Sequence, residues 1–261
     1  MPQDFIFSSE QLAAIERDGV LRLPGLIPRE KASKARQAVQ RRLAELGLWD
    51  GTSAPSRRPK PRWPQTGLQP GRDLTTARPE VAALFEDPAV AGVIGAALDR
   101  RTIDCSIHPR PQLLVSLPNC EEWETPRGWH TDSPRLASGE SPGVQLFVFL
   151  DRVEARGGGT LVVAGSHRLL NDRGDLKPGD VNRLLRAEPS LRGLFKGGVL
   201  AGEQPVRLVE LTGEPGDAWL ADLRVLHSAA PNATDRPRMM ATHRYHPEDL
   251  LPQIKAAFRW S

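Results

Sequence analysis

Between residues 111 and 246 the chain keeps returning to one pattern: a short apolar or alternating stretch closed by turn residues. The stretches are PQLLVSLP, GVQLFVFLD, TLVVAG, PVRLVEL, DAWLAD and RMMATHRYH, and the breaks between them include RGGGT and GEPGD. Segments of this length, rich in Val, Leu and Phe and bounded by Gly and Pro, read as strands. Several of them in succession, with one helical insertion of the form PGDVNRLLRAEPSLRGLFKGG, predict a β-sandwich or jelly-roll. The 23 Gly and 24 Pro supply the turns such a fold needs and weigh against an all-helical one.

The first hundred residues have another character. SSEQLAAIERDG predicts a capped short helix, with Ser8 or Ser9 as N-cap, Leu12 and Ile15 at helical spacing and Gly19 as the stop. GVLRLPGLIP reads as a strand that ends in a turn. In PREKASKARQAVQRRLAELGLWDG one stripe, Ala32, Ala35, Val39, Leu43 and Leu46, faces a core while Arg and Lys stay wet. A further helix, RPEVAALFEDPAVAGVIGAALDR, is interrupted at Pro88 and restarts there behind Asp87. Residues 49–76, without periodicity and rich in Pro, Gly and Arg, predict a long loop; its basic cluster SRRPKPRW reads as a solvated loop or as a lid that attracts anions. We expect one domain over residues 1–261. Residues 1–100 should be mainly helical, and residues 101–261 mainly β with a helical insertion near 168–200.

Bulk properties narrow the function classes. A formal charge of +3 is too small to signal nucleic-acid binding by the whole chain, though it suits a small anionic ligand. Two cysteines, Cys105 and Cys120, are too few for a disulfide framework or a four-thiolate site, so a metal would need His and carboxylate ligands. No apolar run approaches a membrane span and the N-terminus has no leader pattern, so a cytoplasmic protein is expected. Oligomeric state is left open.

Six histidines and 32 acidic residues would yield nearly one His-X-Asp/Glu pair by chance, and the chain has two. His246-Pro247-Glu248 runs into a helix start, and its Pro removes a ladder donor. His130-Thr131-Asp132 precedes Ser133-Pro134; in a strand, residues i and i+2 share a face, so both side chains would enter the barrel at a strand end. GEPGDAWLADLRVLHSAAPN then supplies a turn, a strand and His227. Two histidines and a carboxylate on one face of a metal, with positions left open, is the arrangement of non-haem Fe(II) oxygenases, whereas a closed zinc site wants a fourth ligand. The open positions would take a chelating keto acid and dioxygen. Arg238, eleven residues past His227 on RMMATHRYH, is expected on a strand beside the one leading to His227, where it could grip a carboxylate.

WHTD, GGGTLVVAGSHR, GEPGDAWLADLRVLH and HSAAPNATDRPR, in that order, resemble the phytanoyl-CoA dioxygenase family of Fe(II)/2-oxoglutarate-dependent oxygenases, as does the opening SSEQLAAIERDGVLRLPGLIP. The resemblance implies a double-stranded β-helix, a cupin-like jelly-roll. It implies Fe(II) on His130, Asp132 and His227, and 2-oxoglutarate whose distal carboxylate meets Arg238 and Thr160. It implies oxidative decarboxylation of 2-oxoglutarate by dioxygen, coupled to hydroxylation of a small-molecule substrate. The carboxylate at Asp132 implies hydroxylation rather than halogenation, since related halogenases need a small residue there; desaturation and ring closure stay open. Two departures stand out: Ala229, where many relatives have Ser, and Ala164, in place of a frequent proline. In the same family the GSHR segment with His167 is a turn element.

Arg127 and Trp129, flanking His130, are candidates for the pocket mouth, where an arginine would favour an anionic substrate; the alternative is a solvated arginine and a packed tryptophan. His108, His243 and His246 read as surface or packing residues. Three rivals remain on the residues: a zinc hydrolase using the same ligands, a non-catalytic ligand-binding domain of this fold, and an oxygenase acting on nucleic acid through SRRPKPRW.

Overall fold

The computed structural model describes residues 5–45, 48–49, 79–118, 122–123, 126, 128–133, 136–172, 198–200 and 204–258. Most of the expected loop at 49–76 and of the insertion near 168–200 lies outside them, as does Leu46.

Helix α1 (Ser9–Asp18) opens on a reciprocal cap: Ser8 Oγ accepts the Gln11 N–H and the Gln11 side chain accepts the Ser8 N–H. It stops at Gly19, left-handed at φ 68°. Ile15 turns toward the core while Leu12 stays 54% exposed, so the apolar stripe is narrower than the spacing suggests. Strand β1 (Val20–Leu23) leads into α2 (Arg29–Glu45), which buries Ala32, Ala35, Ala38, Val39 and Leu43. After α3 (Pro79–Phe85) the chain restarts as α4 (Pro88–Ala97), where Asp87 accepts the Ala89 N–H and Pro88 occupies the first turn, as the sequence predicts. Lys31 reaches Asp87 at 2.6 Å and ties α2 to that cap.

Among the described residues the β-core has two antiparallel sheets. Strands β2 (Ile103–Asp104), β3 (Gln112–Ser116), β4 (Val144–Phe149), β8 (Ala218–Asp222) and β10 (Arg238–Pro247) join β1 in a larger sheet ordered β1-β8-β4-β10, with β2 and β3 sharing the far edge of β10. The smaller sheet is ordered β6-β7-β5-β9, from β5 (Thr160–Ala164), β6 (Gly198–Leu200), β7 (Gln204–Glu210) and β9 (His227–Ala229). Helix α5 (Ser166–Asp172) follows β5, and α6 (Leu251–Phe258) closes the described chain.

Strand periodicity distributes the core. Phe147, Phe149 and Met240 of the larger sheet meet Val162 and Ala164 of the smaller one between the layers. The alternate residues Leu146, Val148, Met239 and Ala241 pack outward against Val39, Leu43 and Leu84 of the helices. Because helices cover its outer face, β4 is buried at all six positions and reads as a continuous apolar run. On the other side, Leu161 and Val163 of β5 form a separate cluster with Leu169, Leu208 and Leu226. Among the described residues no helix is long and apolar enough to cross a membrane.

Candidate metal centre

The smaller sheet positions His227. Val162 faces it in register, and Leu226 is fastened on both sides of its peptide: its carbonyl accepts the Val163 N–H at 2.8 Å and its N–H donates to Ser166 Oγ at 2.8 Å. Ser166 belongs to the GSHR segment, whose His167 donates to the Glu16 carbonyl from 3.1 Å and packs on Gly19, where a Cβ would approach to 2.5 Å. His167, in the first turn of α5 rather than in a turn element, thus fastens α1 to the small sheet.

His130 reaches the centre by pairing with His227, each backbone N–H donating to the other's carbonyl at 2.9 Å. The expectation of a strand carrying His130 and Asp132 at alternate positions is not met. His130 is an isolated bridge and Asp132 sits in a bend, with Thr131 Oγ1 donating to the Ser133 carbonyl at 3.2 Å. The bend, rather than a two-residue repeat, brings the carboxylate inward. One donor atom from each of His130, Asp132 and His227 lies within 4.8 Å of the others, a set able to hold a metal ion.

Both imidazoles are prepared for that role. His130 Nδ1 lies 2.9 Å from the Gly128 carbonyl, and His227 Nδ1 lies 3.0 Å from that of Val225. A carbonyl only accepts, so Nδ1 carries the proton and Nε2 keeps its lone pair. Those Nε2 atoms stand 3.8 Å and 3.5 Å from the Asp132 oxygens. Burial alone would raise the Asp132 carboxyl, but His227 and the Arg244 guanidinium outweigh it and hold it well below the usual carboxylate range.

Arg244 escaped the sequence reading. Its Nη2 is 2.8 Å from Asp132 Oδ2, though poorly aligned as a hydrogen bond, and its Nη1 donates to Gln112 Oε1 at 3.1 Å. The signal was there: Arg238 and Arg244 lie an even number of positions apart in RMMATHRYH and so share a face of β10. Met240, on that face too, points between the sheets.

Arg238 is 5% exposed, and its Nε and Nη1 have no hydrogen-bond partner among the described residues. Burial, with no carboxylate among the described residues to oppose it, pulls its guanidinium down to about 10. Its strand is not beside the one leading to His227, as expected, because β4 intervenes and β10 pairs with β3 and β4. Even so Arg238 and Thr160 come to one end of the core. Arg238 is in register with Ser116, whose carbonyl accepts from Asn232 Nδ2 at 3.1 Å. Gly158, left-handed at φ 79°, packs where a Cβ would come within 2.9 Å of Asn232 and 3.3 Å of Ser116 Oγ. The RGGGT turn therefore delivers Thr160, 3% exposed, to that end. Ala229 faces Thr160 across β9 on the inward side, while Ser228 pairs with outward-packed Leu161.

Of the two candidates for the pocket mouth, Trp129 is 4% exposed in the cluster with Leu161, Val163 and Leu226, on the face of β5 turned away from His227; its burial favours the packing reading. Arg127 lies outside the described residues. His243 is buried against Phe85 and Tyr245, as a packing residue, while His108 and His246 stack at 5.6 Å.

The model of the Phytanoyl-CoA dioxygenase (PhyH) family matches residues 15–240. The chain belongs to that family. Three solved structures show the fold of this phytanoyl-CoA dioxygenase family member independently. The non-heme alpha ketoglutarate dependent carbocyclase SnoK from nogalamycin biosynthesis is 18% identical, with a TM-score of 0.60 over 92% of this chain and 84% of that one. HygX from Streptomyces hygroscopicus, with nickel and 2-oxoglutarate bound, is 17% identical, with a TM-score of 0.58 over 93% and 88%. EctD from S. alaskensis, with 2-oxoglutarate and 5-hydroxyectoine, is 20% identical, with a TM-score of 0.57 over 93% and 77%. No curated protein matches the chain by sequence. The two antiparallel sheets are thus the jelly-roll expected from the strand pattern.

Proposed function

We propose that this chain is an Fe(II)- and 2-oxoglutarate-dependent dioxygenase, folded as one domain, that hydroxylates an unactivated C–H bond of a small-molecule substrate. His130, Asp132 and His227 hold the iron, and Arg238 with Thr160 holds the distal carboxylate of 2-oxoglutarate. The observation that carries the reading is Arg238. A zinc hydrolase would need the same three ligands, but it has no use for a buried, unpaired guanidinium inside the barrel. A dicarboxylate cosubstrate gives that cation its counter-charge. HygX and EctD, which share the fold, have been solved with 2-oxoglutarate.

The chemistry supplied by iron and the keto acid together is oxidative decarboxylation of 2-oxoglutarate by dioxygen to succinate and carbon dioxide, coupled to hydroxylation of the substrate. The chain's own role is placement. The Gly128 and Val225 carbonyls hold the two Nδ1 protons, so both Nε2 lone pairs face inward. Asp132 stays anionic and, with the two histidines, would hold the metal ion. Phe147, edge-on to His227 at 6.3 Å, and Val162, in register with it, give the buried side of the centre an apolar lining, while His130 stands half-exposed on the other side.

Anaerobic protein given Fe(II) and 2-oxoglutarate should develop a metal-to-ligand charge-transfer absorption, and admission of oxygen should release succinate. Substrate turnover with Zn(II), without oxygen or 2-oxoglutarate, would instead establish the hydrolase.

A further inference from the structure

Arg238 is not the only cation on the inward face of β10. Six residues on, about 20 Å along the strand, Arg244 projects from the same face against Asp132, and between the two arginines Thr242 pairs with Phe147, which lies edge-on to His227. Its side chain is 11% exposed, and its Nε is buried with no partner among the described residues. Beside it lie two imidazoles the iron chemistry does not use. His246 is fully buried, and its Nδ1 is 2.8 Å from the Pro142 carbonyl, so that nitrogen holds the proton and Nε2 presents a lone pair. His246 Nε2 and His108 Nε2 have no hydrogen-bond partner among the described residues. Burial lowers both imidazoles, His108 to about 4, so neither adds positive charge at neutral pH.

Charge balance shows what this corner lacks. In the protein alone Asp132 balances Arg244, and it is the only carboxylate among the described residues within ion-pair distance of it. When iron and 2-oxoglutarate are bound as proposed above, the dication, the Asp132 carboxylate, the dianionic keto acid and Arg238 together are neutral. Arg244 is then a buried cation without a counter-charge, a costly state unless another anion arrives.

We infer that Arg244, with His246 and His108, forms a second anion subsite across the metal from Arg238, and that it selects substrates bearing a carboxylate near the carbon to be hydroxylated. The inference rests on the dioxygenase reading and narrows its substrate class. The guanidinium supplies a charged donor, and the His246 lone pair takes a hydroxyl or N–H carried by the same substrate. Since Arg244 also touches Asp132, a bound carboxylate would sit next to the iron ligands.

The test uses anaerobic protein loaded with Fe(II) and saturating 2-oxoglutarate. Acetate, hexanoate and 3-phenylpropanoate are each compared with the primary amide, and paramagnetic broadening of the probe's proton signals reports binding beside iron. The charge-transfer band, followed in parallel, shows whether 2-oxoglutarate stays in place. At least one acid should broaden saturably with the band retained, bind at least tenfold more tightly than its amide, and lose at least tenfold in Arg244→Gln, with some of the loss recovered in Arg244→Lys. Equal binding of acids and amides to the unsubstituted protein would overturn the subsite without any variant. So would broadening of no acid, binding only by displacement of 2-oxoglutarate, or undiminished binding to Arg244→Gln. Absence of the charge-transfer band in the unsubstituted protein would sink the dioxygenase reading itself, a distinct outcome.

Discussion

The two ends of β10 carry the same residue in opposite states. Arg238 is buried among the turn residues with two nitrogens unpaired, whereas Arg244 is held by Asp132 and Gln112. A buried cation without a partner marks a place where an anion from outside belongs; one with a partner is costly to disturb, because removing either charge strands the other. In the ligand-free protein the same type of side chain, on one strand and one face, is thus unpaired at one end and paired at the other.

The largest effect is expected where both ends depend on one carboxylate. Asp132→Ala should lower iron affinity about a thousandfold, roughly 4 kcal/mol, measured by metal titration, and should also leave Arg244 unpaired. Full iron affinity in this variant would dissolve the ligand assignment. Next comes Arg238→Met, which should weaken 2-oxoglutarate about a hundredfold in a charge-transfer titration while raising the Tm of the ligand-free protein by a few degrees, because an unpaired buried charge has been removed. Arg244→Met should move that Tm the other way, down by about 5 °C, since it strands a buried Asp132 carboxylate. If both substitutions shift Tm in one direction, the contrast between the two ends is broken.

Smaller effects sharpen the picture. His243 lies on the opposite face of β10, and burial lowers it from an ordinary 6.5 to about 4, with His108 adding to the shift. In the folded state the neutral imidazole is preferred, so stability is present above 6.5 and falls as pH drops toward 4, because the unfolded chain takes up the proton first. Between pH 7 and 5 the loss is about 2 kcal/mol, and His243→Phe should remove that component of the pH dependence of Tm. Thr160→Val should weaken 2-oxoglutarate only about fivefold, the loss of one neutral hydrogen bond of about 1 kcal/mol.

Much of this was legible in the sequence because it is local. Ser8 and Gly19 bound α1, Asp87 and Pro88 restart a helix, and the alternating strands appear where their composition places them. The order His130, Asp132, His227, Arg238 carried the candidate centre, because the same few residue types are needed wherever this chemistry is built. What escaped was long-range. The spacing puts His130 on a strand, but among the described residues its ladder partner is His227 alone, and nothing near residue 130 announces that pairing. Trp129 offered itself as a pocket residue because it flanks a ligand, yet alternation at an extended pair turns neighbours to opposite faces.

The sequence by itself determined which residues can bind a metal, their order, and which positions on each strand share a face, since those follow from side-chain chemistry and the two-residue repeat of an extended chain. Only the tertiary structure decided which charges are paired. Arg238 and Arg244 are equivalent in the one-dimensional pattern, and they differ because a bend at Asp132, far away in sequence, brings a carboxylate to one and not to the other. The strength of a buried charge depends on what folds against it, and that is a property of packing rather than of the strand that carries it.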